Sequence, residues 1–445
     1  MIKIIDFFFS KKKRDNKMNK DIKFQQLRKG ANVRQIHYPK TINDIEKIVL
    51  SSKPILGSGL GNSHSRIDEN RQKTSYISSK RIKHIYRANP DLLEPENVLK
   101  RRLDKFIDPV FYPRENHNFK DYFINVGSGV TLKELSEYLR ERGLALCVTS
   151  QSEKETVGGM SQTDVHGSGW YLGSVSDYIV SLRVILPEGT VEVVEPNRKI
   201  TKFNDFLNVT KLFNSICGGV GTLGFVYDVI ILVQDAVEYK TSEGITKWLD
   251  FRGDLVEFVE DVRNLELFID HKTSFVKVVQ SGQFLKPFEY PKVKDKKDKK
   301  DKKEGGICIS TESAIPIFSM IEIQAVINAS LFYIMQTGIE CHPLHIRFGQ
   351  RSDHYLSSTF SRNKKVLGFV LIKMSMDLHK NSDRNLRDLT NFEVFLSTHS
   401  GQVNMKYIQG GVLNRPGIKR WSKNFKRFKE NPFSSDFSDE LLFES

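Results

Sequence analysis

The feature of this sequence that most constrains its fold is a set of three glycine-rich loops, each next to a predicted strand. They span residues 57–65, 158–173 and 218–224, and the second loop holds five glycines and His166. Glycine lets a backbone approach its neighbour closely and present N–H groups to anionic oxygens. One such loop alone would indicate a tight turn. Three in one half of the chain, with serine and threonine between the glycines, predict a site for a ligand such as a dinucleotide pyrophosphate.

Two common phosphate-binding loops are excluded by the residues present. The stretch GSGLGN has Asn62 where a Rossmann fingerprint needs its third glycine, and the polar SHSRIDENRQK that follows cannot form a packing helix. The sequence GxxxxGK[ST] occurs nowhere, so the chain has no P-loop. The three loops therefore predict another kind of nucleotide site.

The glycine loops lie in a half of the chain in which helices and strands alternate. Thr41 or Asn43 can cap a helix over INDIEKIVL, and Thr131 with Glu134 forms a capping box before a second helix. A strand pair turns at Pro187-Glu188-Gly189. After residue 235 glycines become sparse and strand-rich runs appear, crossed by the apolar helix FSMIEIQAVINASLFYIM. This change predicts a second domain built on a sheet.

The composition limits the class of protein. Hydrophobic residues make up 39% of the 445, enough for a packed core, and the net charge is +14. Much of that charge lies in KKKRDNKMNK (11–20) and in KVKDKKDKKDKKE (292–304), a run that cannot pack and predicts an exposed, disordered insert. No DNA- or RNA-binding signature accompanies it, so we expect no nucleic-acid partner.

The opening MIKIIDFFFS is too short to span a bilayer and lacks a signal-peptide cleavage site. Followed by the basic run, it could rest on an anionic membrane surface, and the alternative is a frayed terminus. Four scattered cysteines show no metal-binding spacing, which predicts reduced thiols, no metal site and a cytoplasmic location.

These motifs together resemble the FAD-linked oxidases of the vanillyl-alcohol oxidase type, also called PCMH-type flavoproteins. The loop GSGLGNSHS resembles their first binding loop, G-x-G-x-S. The stretch from TVGGMSQTDVHGSG through the following hairpin resembles their second loop, and GGVGTLGFVYDVII their third. The resemblance covers residues 35–235 and is nearest to the decaprenylphosphoryl-ribose 2-oxidase and the aldonolactone and alditol oxidase branches. It implies an α+β fold with a PCMH-type FAD-binding domain and a substrate-binding cap domain on an antiparallel sheet.

By this resemblance the chain divides into four parts: a basic tail (1–22), an FAD-binding domain (23–235), a cap domain (236–406) with a disordered insert at 292–305, and a C-terminal segment (407–445) that returns to the FAD domain. The implied cofactor is FAD. The residues implied to hold it are Gly57, Ser58, Gly59, Leu60, Gly61, Asn62, Ser63, His64, Gly127, Gly158, Gly159, Ser161, Asp164, His166, Gly167, Ser168, Gly221, Gly224 and Val226.

The resemblance also bears on how FAD is attached. Covalent members use a histidine in the first loop, and Asn62, directly after Gly61, stands at that position here. His64 follows two residues later, at a position where non-covalent relatives carry tyrosine. The resemblance therefore predicts dissociable FAD, with His64 as the alternative attachment point.

Two residues are implied to act in catalysis. His166 matches a flavin-side histidine, and the alternative is a ring that only braces its loop. Lys406 matches the lysine of the family's active site, where it would orient a substrate hydroxyl or help to take its proton. The alternative is a solvated strand lysine, with Arg415 and Lys419 as other candidates. Val403 stands where relatives carry an aromatic residue or histidine, so this sequence departs from the pattern.

The leading hypothesis is an FAD-dependent oxidoreductase that oxidises the CH–OH group of a sugar-like substrate by hydride transfer to flavin N5. The substrate could be a lipid-linked or free sugar, an aldonolactone or a polyol. A flavin-binding protein without turnover and a basic nucleic-acid-binding protein are the alternatives. Oligomeric state and electron acceptor are left open.

Overall fold

The computed structural model describes residues 33–51, 54–59, 74–89, 91, 93–103, 119–149, 153–163, 165–196, 209–283, 285–289, 308–377 and 382–398. The predicted tail, insert and C-terminal segment lie outside these residues, and the predicted domain boundaries stay predictions.

The described residues form fifteen strands and nine α-helices. The strands are β1 Val33–His37, β2 Ile55–Ser58, β3 Thr74–Ser78, β4 Ile85–Arg87, β5 Phe123–Gly127, β6 Leu144–Leu146, β7 Ile179–Ile185, β8 Val191–Val194, β9 Phe225–Asp235, β10 Lys240–Lys247, β11 Asn264–Ile269, β12 Phe275–Gly282, β13 Cys308–Ile317, β14 Leu344–Gly349 and β15 Gly368–Asp377. The helices are α1 Ile42–Ser51, α2 Glu96–Leu103, α3 Leu132–Arg140, α4 Val157–Thr163, α5 Val209–Ile216, α6 Trp248–Phe251, α7 Leu255–Asp261, α8 Ile321–Thr337 and α9 Ser382–Thr398.

A small parallel sheet of order β1-β3-β2 carries the first glycine loop at the end of β2. Helix α1 packs against this sheet through Ile45 and Val49. It begins at Thr41, whose Oγ1 accepts a hydrogen bond from the Asp44 N–H (3.2 Å). The cap is therefore Thr41 rather than the other candidate from the sequence, Asn43.

A second sheet, of order β4-β5-β9-β7-β8 with β6 on β9, forms the centre of the first domain. Helix α3 has the predicted capping box: the Glu134 N–H donates to Thr131 Oγ1, and the Thr131 N–H donates to Glu134 Oε2 (2.7 Å). The hairpin between β7 and β8 turns where predicted, and Gly189 has a φ of +84°. The long strand β9 crosses this sheet and continues from the third glycine loop.

The third sheet is antiparallel, of order β10-β12-β11-β14-β15-β13, and we call it the cap sheet. One face packs its aliphatic side chains, such as Leu267, Ile346 and Ile372, into a core with helices α6 to α9. Side chains alternate between faces along a strand, so the residues between these point away from the helices. The fold is thus α+β, with an antiparallel sheet in the second half of the chain, as the sequence predicts.

A loop of the cap sheet packs into the first domain, in addition to the covalent connection between the two. In residues 350–361, Tyr355, Leu356 and Phe360 are buried in the core of the first domain. His354 donates through Nε2 to the Ser176 carbonyl oxygen (3.0 Å), and Ser352 donates to Asp177 Oδ1 (2.7 Å). These contacts hold the cap sheet beside the second glycine loop. Among the described residues, no helix is long and apolar enough to cross a membrane.

Candidate functional site

The three glycine loops meet around the short helix α4. A Cβ at Gly59, in the first loop, would lie 2.3 Å from Oγ1 of Thr156, which precedes α4. The N–H groups of Gly218 and Val220, in the third loop, donate to the carbonyl oxygens of Ser161 (2.8 Å) and Gln162 (2.9 Å). Segments more than 150 residues apart in the chain are therefore brought to one place, as a site shared by the loops requires.

The glycines in these loops are explained in part by contacts between the loops. A Cβ at Gly158 would lie 2.7 Å from the Ser128 Cβ, and one at Gly167 would lie 2.9 Å from a methyl group of Val148. The sequence predicts a ligand close to these glycines, whereas other segments of the chain lie against Gly158 and Gly167. Gly221 differs, because no atom lies within 4 Å of its Cβ position. Gly158 and Gly167 thus allow segments of the chain to pack closely. At Gly221, by contrast, the Cβ side of the backbone is not covered by other parts of the described chain.

The third loop has a strained backbone. Gly218, Gly221 and Gly224 have φ angles of +67°, +76° and +138°, and Val220 has a φ of +52°. A β-branched residue with a positive φ is uncommon and unfavourable. Such strain clusters at functional sites, where the surrounding contacts hold it in place.

An unpartnered hydroxyl lies where the loops cross. Ser128, in the turn after β5, is buried, and its Oγ has no hydrogen-bond partner in the described part of the chain. It packs against Gly158, and its own N–H donates to the Tyr227 carbonyl oxygen (2.9 Å). A buried hydroxyl without a partner is costly, and a polar ligand along the loops would supply one. With the open backbone at Gly221, this fits a dinucleotide at the loops.

His166, at the end of the second loop, connects the first domain to the cap sheet. Its Nε2 lies 3.3 Å from Glu312 Oε2 on β13, and its Nδ1 lies 3.1 Å from the Gly167 carbonyl oxygen. Both ring nitrogens therefore face oxygen acceptors. The predicted site histidine is thus part of a polar network between the two domains.

Glu312 is the centre of this network. Its Oε1 accepts from Arg347 Nε on β14 (3.1 Å), so its two oxygens face two different side chains, Arg347 and His166. The side chain is 24% exposed. Burial alone would raise the pKa of Glu312, but Arg347 and His166 together hold that pKa well below its usual range. The carboxylate stays ionised at neutral pH.

A second acid–histidine pair lies on the same side of the cap sheet. His345 Nε2 on β14 lies 2.6 Å from Glu266 Oε2 on β11, and the His345 ring stacks on Phe268 with centroids 4.3 Å apart. Burial would raise the pKa of Glu266, but the hydrogen bond from His345, with its charge and that of Arg347, lowers it. The pair holds the imidazole in one orientation.

Lys373 on β15 completes this surface. It is the direct partner of Glu312 on β13 and of His345 on β14, so the three side chains share a face. We call this surface the charged face, and its residues are Glu266, Phe268, Glu312, His345, Arg347 and Lys373. None of these six residues is among the site residues that the sequence predicts. Most of the six alternate with buried apolar residues along their strands, and this pattern is visible in the sequence. Alternation alone, however, does not show which strands are neighbours in the sheet.

The structure describes only some of the predicted site residues. Those it places at the loops or beside the charged face are Gly57, Ser58, Gly59, Gly127, Gly158, Gly159, Ser161, His166, Gly167, Ser168, Gly221, Gly224 and Val226. Those outside the described residues are Leu60, Gly61, Asn62, Ser63, His64, Asp164, Val403, Lys406, Arg415 and Lys419. Ser168 faces the cap sheet, where its hydroxyl donates to the Leu265 carbonyl oxygen. The roles assigned to all of these residues stay predictions.

Comparison with known families assigns a ligand to part of this site. Residues 112–195 match the family described as FAD binding domain. The match includes the second loop, whereas the first and third loops lie outside it. The resemblance to FAD-linked oxidases and the cofactor FAD are thus confirmed, while the likeness to the decaprenylphosphoryl-ribose 2-oxidase branch stays a prediction.

Two curated relatives and one solved structure show the breadth of the similarity. A D-arabinono-1,4-lactone oxidase of Yarrowia lipolytica is 32% identical over 146 residues, which are 32% of this chain and 26% of the relative. An L-gulonolactone oxidase 3 of Arabidopsis thaliana is 25% identical over 150 residues, 33% of this chain and 23% of the relative. A chitooligosaccharide oxidase structure is 12% identical with a TM-score of 0.59, covering 91% of this chain and 92% of that one. The sequence matches thus span about a quarter of the relatives, while the fold extends over the chain.

Proposed function

We propose, on the premise that this chain belongs to the PCMH-type FAD-linked flavoproteins, that it is an oxidoreductase acting on the CH–OH group of a sugar-like substrate. The single observation that supports this most is the contact between His166 and Glu312 (3.3 Å), which sets the charged face of the cap sheet against the second glycine loop. A substrate bound between them would meet the cofactor loops on one side and several hydrogen-bonding side chains on the other. The names of the matched relatives, lactone oxidases, are consistent with such a substrate.

The residues that would hold FAD are those of the three loops, with the Ser128 hydroxyl and the open backbone at Gly221 as the points of fit. When bound, FAD supplies a two-electron acceptor for the hydride of the substrate. We propose dissociable attachment because of Asn62, with His64 as the alternative.

The chain's own residues would bind and orient the hydroxyl groups. Glu312 is ionised and accepts hydrogen bonds, while Arg347 donates them and is held in place through Glu312. His345, oriented by Glu266, offers its Nδ1 as an acceptor for a hydroxyl proton if Nε2 carries the ring proton. Lys406 stays a further candidate for this task. We propose a cytoplasmic enzyme with a free or lipid-linked sugar as its partner.

The first experiment is the visible absorption spectrum of the purified protein, before and after acid precipitation. We expect bands near ~370 and ~450 nm, typical of oxidised flavin, that move to the supernatant on precipitation. Colour in the pellet would instead indicate covalent FAD and make His64 the candidate. A colourless protein that also cannot be reconstituted with FAD would contradict the proposal.

Turnover is tested separately by anaerobic addition of aldonolactones, polyols and sugar acids. We expect at least one of these compounds to bleach the ~450 nm band, because hydride transfer reduces the flavin. A protein that keeps its flavin yet is bleached by no sugar-like compound would be a flavin-binding protein without this activity.

A further inference from the structure

The charged face contains one cation that the network does not neutralise. Lys373 is half-buried, and within the described residues its side chain has no ion pair and no hydrogen bond. Its cross-strand neighbour Glu312 is already engaged, one oxygen with Arg347 and the other with His166. The other neighbour, His345, is hydrogen-bonded to Glu266. Lys373 therefore has acids close by on its sheet but is bonded to neither.

The fixed charges of the face are equal in number, but they are not all paired. Glu266 and Glu312 carry two negative charges, and Arg347 and Lys373 carry two positive charges. Each carboxylate already has a hydrogen-bonded partner, Arg347 for Glu312 and His345 for Glu266. Among the described residues of this face, the charged group without a partner is the Lys373 ammonium. A partly buried charge without a partner is costly, and an anion beside it removes that cost.

We infer that Lys373 binds an anionic group of the substrate, a carboxylate or a phosphate carried by the sugar. This inference rests on the proposed function and narrows it, because it favours a sugar acid or a sugar phosphate over a neutral lactone or polyol. Lys373 is then a residue that determines specificity. An ammonium on a flexible stem recognises either anion as a point charge, without selecting its geometry.

The test compares wild type with Lys373→Met, which keeps the length of the side chain, and with Lys373→Arg, which keeps the charge. The control is Lys277→Met, on the same side of the sheet, where Lys277 is paired with Glu243 (2.7 Å). Retention of the flavin spectrum and of the melting temperature identifies folded variants. Each protein is titrated calorimetrically with an aldonate, a sugar phosphate and a matched neutral polyol.

We expect wild type to bind one of the two anions more tightly than the polyol. Lys373→Met should weaken anion binding by ~10- to 100-fold and polyol binding by less than ~2-fold, since a charged hydrogen bond is lost only with the anion. Lys373→Arg should bind the anion within ~5-fold of wild type, and Lys277→Met should bind like wild type. The aldonate and sugar phosphate titrations show whether a carboxylate or a phosphate is the anionic group that Lys373 binds.

Equal loss of anion and polyol binding in Lys373→Met would overturn the inference, as would a wild type without preference for either anion. Loss of folding in Lys373→Met leaves the wild-type preference and the Lys373→Arg titration as the deciding measurements. Binding is measured without turnover, so a protein that binds an anion through Lys373 but is not reduced by it would contradict the proposed function alone.

Discussion

At the scale of single residues, Glu312 shows how burial and pairing oppose each other. Removal from water favours the neutral acid, but the guanidinium of Arg347 and the His166 ring favour the carboxylate, and the pKa is lowered. If either the charge or its partners were absent, the remaining groups would be partly buried without compensation. The same carboxylate therefore stabilises the contact between domains and orients Arg347 on the charged face.

The variant Glu312→Gln removes this charge. The difference between its free energy of unfolding and that of wild type, the stability gap, should therefore depend on pH. A carboxyl group whose pKa is lower in the folded than in the unfolded chain stabilises the fold when it is ionised. This stabilisation is complete above the unfolded-state pKa of about 4.5 and is lost as the pH falls through the folded-state pKa. We expect Glu312→Gln to be less stable by about 1–3 kcal/mol at pH 7. The gap should narrow at about pH 3, which is below that unfolded value. The measurement is the urea midpoint of both proteins at the two pH values.

Glu243→Gln is the control, because Glu243 pairs with Lys277 on the exposed part of the same sheet. Surface pairs of this kind contribute little, so its midpoint should match that of wild type at both pH values. A gap for Glu312→Gln that is the same at pH 3 and pH 7 would mean that its pKa is not lowered by folding.

At the scale of elements, the site depends on short segments whose positions are set by their neighbours. Helix α4 has only seven residues, too few to be stable alone, and it is held by contacts with the turn after β5 and with the third loop. The Gly158 N–H donates to the Ser128 carbonyl oxygen (2.9 Å), and the Val157 N–H donates to that of Val130 (2.8 Å). These bonds need the two segments to lie close together.

The variant Gly158→Ala tests this close approach. The new Cβ would meet the Ser128 Cβ at 2.7 Å and its carbonyl oxygen at 2.9 Å, so backbone must move. We expect a loss of about 1–3 kcal/mol in stability and weaker FAD binding, because the moved segments carry the cofactor loops. Thermal melting and FAD titration of the apoprotein measure the two effects.

Gly253→Ala, between α6 and α7, is the matched control, since no atom lies within 4 Å of its Cβ position. It should melt within ~2 °C of wild type and bind FAD equally well. If Gly158→Ala behaves like Gly253→Ala, the loops are more adaptable than these contacts imply.

At the scale of the whole molecule, the two domains share a core. Leu356 comes from the loop between β14 and β15 of the cap sheet, yet it is fully buried among residues of the first domain. The Gly169 N–H, in the second glycine loop, donates to the Phe348 carbonyl oxygen on β14 (2.9 Å). The distance between the second glycine loop and the charged face is thus determined by packing contacts of both domains.

Leu356→Ala should therefore destabilise both domains together. Removal of a fully buried leucine costs about 2–5 kcal/mol, and the loop anchors the cap sheet. We expect a lower melting temperature in calorimetry and release of FAD at the same temperature. Leu367→Ala, in the same domain at a side chain 44% exposed, should have little effect. Release of FAD from Leu356→Ala at the wild-type temperature would show that the loop is not an anchor.

The local features of this protein could be predicted from the order of its residues alone. The capping box at Thr131 and Glu134, the turn at Gly189 and the strand after the third loop depend on residues close together in the chain. The glycine-rich loops could be found for the same reason, and with them the FAD cofactor. Such features are specified by short-range backbone chemistry, which the order of residues displays directly.

The charged face was decided only by the tertiary structure. Glu266, Glu312, His345 and Lys373 come from four strands, and their contacts depend on strand order and on register, where a shift of one residue would turn each side chain to the other face. The same holds for the contact of His166 with Glu312, which requires two domains to pack. The glycine loops could be recognised in the sequence because each of them has a local pattern. The charged face could not, because its residues become neighbours only when the sheet forms.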